Sequence, residues 1–204
     1  MHPLLWRLRF ACRRPDREEV REFILRRMPQ HGVVAEIGVD LGDFSEKILA
    51  LNRPRELHLI DPWTTESGEY RQRQPDDATS DSPRKLATVA RFAVVRDRFA
   101  SEIDGGGVML HRANSEVVGG GFPDGFFDWV YIDGNHSYEA VRQDLELYWR
   151  KLKPGGYIVC DDYHHAGFWD DGVTRAVDEF VGNGDARPIF KRRSQFVMRK
   201  PGEN

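Results

Sequence analysis

Apolar positions along this chain switch repeatedly between two periods. Val20, Phe23, Ile24 and Met28 recur at helical spacing, and Val33–Ile37 then reads as a short buried-strand run. The alternation returns at once, with Phe44, Ile48 and Leu51 on one helix face and a strand at Glu56–Ile60. Further on, Leu86, Val89, Ala90 and Ala93 predict a helix, and Val108–Leu110 a strand. Phe126–Ile132 is the strongest strand signal. Tyr138, Val141, Leu145, Tyr148 and Leu152 follow as a helical stripe, then a strand at Tyr157–Cys160. Val173, Ala176, Val177 and Phe180 predict one more helix, and strands around Ile189 and Phe196–Met198 complete the pattern. Strands alternating with helices imply a mostly parallel sheet covered on both faces.

Local breakers agree with these boundaries. Asp16, with Glu19 three residues on, predicts a capping box at the first helix, and Pro29 with Gly32 ends it. Pro54, Asp61-Pro62 and Pro154-Gly155-Gly156 mark later turns. Residues 64–83 are rich in Asp, Ser, Thr, Pro and Gln and read as a long loop or lid.

Composition narrows the class. With 204 residues, 40% hydrophobic, five Trp and twelve Phe, the chain can bury one domain's core and is not disordered throughout. The net charge of −3 and pI near 6.2 argue against nucleic acid as the partner. No stretch approaches the roughly 20 apolar residues of a membrane span. Arg7 and Arg9 break the apolar start Leu4–Phe10, so a secretory signal is not expected and a reducing, cytoplasmic setting is. Cys12 and Cys160 have no metal-ligand spacing. Residues 1–30 hold eight Arg against four acids, which reads as a solvated helix face or as a weak contact with an anionic partner.

In a parallel sheet, ligands bind beyond the carboxyl ends of the strands. The residues there are Glu36-Ile37-Gly38, Asp61, Asn114-Ser115, Asp133 and Asp161-Asp162, so all but one group bring a carboxylate to one rim. Gly38 and Gly42, four apart, make a strand–turn–helix that is not GxGxxG. Asp40 stands at its middle position, unfavourable for a pyrophosphate but tolerable for a cofactor without phosphates. Glu36 is placed to accept from a ligand ammonium, and Asp61 to accept ribose hydroxyls, although Asp61 before Pro62 also suits an Asx turn. Asp133, Asp161 and Asp162 repel one another unless a cation or raised pKa values relieve them, and hard oxygen ligands suit Mg²⁺.

The segments EIGVDLG (36–42), LIDPW (59–63), FFDWVYIDGNHSYEAVRQDLELYWRKLKPGGYIVCDDY (126–163) and GVTRAVDEF (172–180) resemble class I S-adenosylmethionine (SAM)-dependent methyltransferases. Within them the chain is most similar to small metal-dependent O-methyltransferases of the macrolide-sugar type. The resemblance spans residues 33–199. It implies an α/β Rossmann-like, doubly wound, mostly parallel seven-stranded sheet with the last strand antiparallel, plus an N-terminal helix. Residues 1–30 would be a helical extension and 31–204 the methyltransferase domain.

By position, Glu36, Gly38 and Gly42 would bracket the methionine part of SAM, with Ser45 at its carboxylate and Asp133 at the same end. Asp61 would hold the ribose and Ser115 the adenine. Asp133, Asp161 and Asp162 would be the metal ligands, and His136 the general base that deprotonates an acceptor hydroxyl. The implied acceptor is a hydroxylated small molecule, a sugar or glycosylated natural product. Self-association through residues 1–30 is also an expectation. A nicotinamide-dependent oxidoreductase and a relative with altered, hydroxylase-like chemistry are the competing readings.

Overall fold

The computed structural model describes residues 14–64, 87–165, 171–184 and 186–202. The expected lid at 64–83 therefore lies outside the described residues beyond Thr64.

Fourteen elements follow in chain order among the described residues. The first half comprises α1 (Arg17–Leu25), β1 (Val33–Ile37), α2 (Asp43–Leu51), β2 (Glu56–Ile60), α3 (Ala87–Arg98), α4 (Ala100–Asp104) and β3 (Val108–His111). The second comprises α5 (Ser115–Gly120), β4 (Phe127–Ile132), α6 (Tyr138–Lys151), β5 (Leu152–Cys160), α7 (Gly172–Asn183), β6 (Arg187–Arg192) and β7 (Gln195–Arg199).

The strands form one sheet in the order β3-β2-β1-β4-β5-β7-β6. β1 pairs in parallel with β2 and β4, as do β2 with β3 and β4 with β5. β7 runs antiparallel to both its neighbours. This is the expected Rossmann-like sheet with its antiparallel last strand. Strand order reverses between β1 and β4, and a crevice opens beyond their carboxyl ends.

Alternation along the strands decides what each face buries. Trp129 and Tyr131 of β4 join Val20, Phe23 and Ile24 of α1 and Ile48 of α2 on one face. Val130 and Ile132 join Val141 and Leu145 of α6 and Val173 and Val177 of α7 on the other. The capping box forms as expected, with Asp16 accepting from the Glu19 amide at 2.8 Å and Glu19 accepting from the Asp16 amide at 3.0 Å. Two local details differ from the sequence pattern. The Pro154-Gly155-Gly156 turn lies inside β5 as an irregularity, because the pairing with β4 starts at Leu152, breaks, and resumes at Tyr157. Ser115–Gly120 is a short helix, too brief to leave a period in the sequence.

Among the described residues, no helix is long and apolar enough to cross a membrane.

His58 on β2 is 5% exposed, and its Nδ1 lies 3.0 Å from Nε2 of His111. Phe122, Phe126 and Phe127 present their edges or faces to the same ring. Burial pushes the His58 imidazole down from 6.5 to about 4, and burial lowers His111 as well. The unfolded chain therefore takes up a proton at His58 below about pH 6.5 that the folded chain refuses until about pH 4. Stability should be complete above that window and fall by roughly 3 kcal/mol as pH drops through it. Urea unfolding at pH 7.5 and 4.5 checks this, since His58→Leu should lose less stability across the interval than the wild type.

Candidate active site

The rim residues are placed by backbone hydrogen bonds that extend the sheet one step past each strand. The Gly38 amide donates to the Ile60 carbonyl at 2.9 Å, that of Asp133 to Ile37 at 2.8 Å, and that of Asp161 to Ile132 at 3.0 Å. The ends of β1, β2 and β4 lie on one side of a cavity of about 840 Å³, and the end of β5 lies beside Asp133 outside its wall. Its wall includes Glu36, Gly38, Asp40, Asp61, Ser115, Asp133, His136, Asp144 and Arg21.

Glu36 is 1% exposed and accepts a 2.6 Å hydrogen bond from the Ser45 hydroxyl. Burial pushes its carboxyl up to about 8; the Ser45 bond opposes this and the Asp133 charge adds to it. A buried acid on a cavity wall, hydrogen-bonded to a neutral hydroxyl, suits a cationic ligand group, which would favour its ionised form. Ser45 itself is fully buried behind Glu36.

Asp61 is tied into the turns it faces. It accepts from the amides of Val39 at 2.9 Å, Asp40 at 3.1 Å and Trp63 at 2.7 Å. A carboxylate has about four lone-pair positions, so roughly one is left for a ligand hydroxyl. Trp63 is 2% exposed, with its indole N–H on the Asp40 carbonyl and its ring against Phe92, so it packs within the fold. The Asp40 carboxylate pairs with Arg91. Gly42 has φ +82, and an added Cβ would stand 2.7 Å from the Phe99 ring, so a close side chain and the left-handed backbone both demand glycine there.

At the far end of the cavity, Ser115 donates to Asp144 at 2.5 Å. Asp144 is 4% exposed, and burial pushes its carboxyl up to about 7. Sequence reasoning missed this acid, although its signal was present. Val141, Asp144, Leu145 and Tyr148 share the buried face of α6, where an acid is out of place without a partner.

Asp133, His136 and Asp162 bring one donor atom each within 4.8 Å of one another. His136 Nε2 lies 3.4 Å from Asp133 Oδ1 and 3.3 Å from Asp162 Oδ2. Asp162 adopts φ 52, a left-handed conformation that an Asp tolerates better than most residues. The two carboxylate oxygens suit a hard divalent cation such as Mg²⁺ or Mn²⁺, and the imidazole nitrogen beside them is placed to accept a proton.

Asp161 is engaged differently. Its Oδ1 accepts from the Asp162 amide at 2.7 Å, Gln195 at 2.5 Å and Ser194 at 3.2 Å. Its Oδ2 accepts from Tyr131 at 2.8 Å and faces Arg17 at 2.8 Å and Arg21. The two arginines on α1 are the other residues that sequence reasoning did not place. Arg21 also reaches Asp133 Oδ2 at 3.2 Å, and Arg17 reaches Asp162 Oδ1 at 3.0 Å. The sequence showed only a basic helix; which acids face it is a matter of packing.

Residues 35–163 match the family described as "Methyltransferase domain". The chain belongs to this methyltransferase family. Family and fold together make it a SAM-dependent methyltransferase of class I, and the oxidoreductase reading falls away. Protein R132 of Acanthamoeba polyphaga mimivirus is 41% identical over 61 residues, 30% of this chain and 27% of that protein, so the match spans about a quarter of the relative's length. A candidate rRNA methylase from Clostridium thermocellum has the same fold at TM-score 0.61 and 13% identity, over 92% of this chain and 96% of that one. A candidate caffeoyl-CoA O-methyltransferase from Staphylococcus aureus does so at TM-score 0.61 and 12% identity, over 92% and 85%.

Proposed function

We propose that this methyltransferase is a divalent-cation-dependent O-methyltransferase acting on a hydroxylated small molecule, a sugar or glycosylated natural product. The observation that carries the reading is the convergence of Asp133, His136 and Asp162, of which Asp133 and His136 line the same cavity as Glu36. The likeness of segment 126–163 to sugar O-methyltransferases and the O-methyltransferase named among the structural neighbours support the choice of oxygen as acceptor.

When bound, SAM supplies a methyl group on a sulfonium, and a divalent cation supplies positive charge beside the acceptor oxygen. Glu36 holds the cofactor ammonium, Asp61 takes one ribose hydroxyl, and Ser115 with Asp144 lies at the adenine end. Gly38 and Gly42 shape the turn between them. Asp133 and Asp162 hold the cation, with Asp161 able to join them on exchanging its arginine partners. His136 Nε2 would take the acceptor proton, so that the oxygen could accept the methyl group SAM would supply.

The test is incubation with SAM and a panel of hydroxylated acceptors, in Mg²⁺ or in excess EDTA. Product mass should rise by one CH₂ unit only in Mg²⁺, and equal turnover in EDTA would remove the cation from the mechanism. Oxygenated product without methyl transfer would favour the hydroxylase-like reading. On an acceptor so found, His136→Ala should lower the rate about 10²–10⁴-fold. S-adenosylhomocysteine binding should be unchanged in that variant, and a near-normal rate would exclude His136 as the base.

A further inference from the structure

The carboxylate cluster already carries its own positive charges. Arg21 and Arg17 reach it from α1, a helix whose Val20, Phe23, Ile24 and Leu25 are buried in the core, so the helix is anchored and its arginines stay at the rim. They divide the carboxylate oxygens with His136. Arg21 takes Oδ2 of Asp133 and Arg17 takes Oδ1 of Asp162, while the other oxygen of each acid faces His136 Nε2. The Arg21 guanidinium lies 5.0 Å from the Phe44 ring centroid, with its side chain only 13% exposed. Its Nε is buried and has no hydrogen-bond partner. An unpaired buried N–H is costly and survives only where other interactions hold the group in place; here those interactions are the acids.

We infer that Arg17 and Arg21 are resident counter-cations that set the affinity of the site held by Asp133 and Asp162 for a divalent cation. The inference rests on the cation reading above and adds a determinant which that reading does not contain. With Asp133, Asp161 and Asp162 ionised, the two guanidiniums reduce the cluster from three negative charges to one. A divalent cation then brings it to one positive charge, which suits an acceptor oxygen that reacts as an anion. Without the arginines the loaded site would stay negative and repel that oxygen. Two effects of the arginines oppose each other. They orient the acids, which favours binding, and they repel the incoming cation, which disfavours it. Charge repulsion between groups a few ångströms apart in a partly buried site exceeds the gain from holding a carboxylate rotamer, so repulsion wins.

Mn²⁺ titration of the full-length protein, followed calorimetrically and by the paramagnetic signal of free Mn²⁺, tests this directly. The Arg17→Gln/Arg21→Gln double variant should bind Mn²⁺ at least about tenfold more tightly than the wild type. Arg17→Lys/Arg21→Lys, which keeps the charges, should stay close to wild type. Arg91→Gln, which removes a charge paired with Asp40 outside the cluster, should change affinity little. Gain of affinity is a readout that loss of fold cannot produce, and retained S-adenosylhomocysteine binding confirms that the variants are folded. Equal or weaker Mn²⁺ binding in the glutamine double variant overturns the inference while leaving the cation site standing. Absence of Mn²⁺ binding in every variant, including the one freed of arginines, overturns the cation reading itself and this inference with it.

Discussion

Asp133→Asn should remove divalent-cation binding and leave S-adenosylhomocysteine affinity within a few-fold of wild type. Asn is nearly isosteric, and the backbone bond from the Asp133 amide to Ile37 that fixes the end of β4 is untouched. What changes is charge. The arginines that now share three acids would face two, and residue 133 would keep one neutral oxygen in place of the two charged ones that Arg21 and His136 now share. A charged hard ligand replaced by a neutral amide beside two guanidiniums should weaken Mn²⁺ or Mg²⁺ by about 100-fold or more. On any acceptor found by the panel, turnover should fall by about 10³-fold, since a bound cation stabilises developing charge by several kcal/mol. Calorimetry with Mn²⁺ and with S-adenosylhomocysteine on the same sample separates the two sites. Unchanged Mn²⁺ binding in Asp133→Asn would place the cation elsewhere.

The second large effect belongs to the backbone. A Cβ at Gly38 would stand 2.0 Å from the Asp133 carbonyl oxygen, 2.5 Å from its carbon and 2.8 Å from Gly134 Cα. All three are main-chain atoms at the end of the neighbouring strand, so no side-chain rotation relieves the overlap. The residue also has φ +85, which costs a non-glycine residue roughly 1–2 kcal/mol by itself. Forcing β1 and β4 apart adds a further 1–3 kcal/mol, as overpacking does elsewhere. Gly38→Ala should therefore lose about 3 kcal/mol, a fall in Tm of roughly 6–12 °C for a chain of this size. Cofactor affinity should fall in parallel, because the strand end that moves carries Glu36. Gly120→Ala is the control. A Cβ there meets nothing within 4 Å, and alanine is the better helix former, so its Tm should hold or rise. Equal Tm and S-adenosylhomocysteine affinity in Gly38→Ala and wild type would contradict the close approach of the two strands.

Much of this protein was readable from its sequence because the signals were local or periodic. The strands β1, β2, β4 and β7 are buried along most of their length, so their apolar runs stood out. The Asp16–Glu19 capping box depends on residues three apart and formed as expected. The acids at the ends of β1, β2, β4 and β5 were legible because a parallel sheet brings the ends of its strands to one rim whatever its loops do. Even the direction of the cofactor end followed from glycines four residues apart.

What each acid does at the rim was decided only by tertiary structure. Asp161 and Asp162 are adjacent in sequence and equivalent in composition. One turns into Gln195 and Tyr131 from β7 and β4, and the other meets His136. That difference comes from β7 pairing antiparallel beside β5, a contact between residues more than thirty apart that no local period encodes. The arginines of α1 looked like a solvated face because their partners lie over a hundred residues away. Asp144 drew no reading from the sequence, since the Ser115 that binds it is brought by α5 from 29 residues away. The sequence by itself thus determined the layers, the sheet and the chemistry available at the rim, since hydrophobic period and strand-end position are properties of single segments. Only the tertiary structure decided which carboxylates are neutralised by the chain's own arginines and which oxygens face His136, since charge pairing depends on distances between segments that the sequence keeps apart.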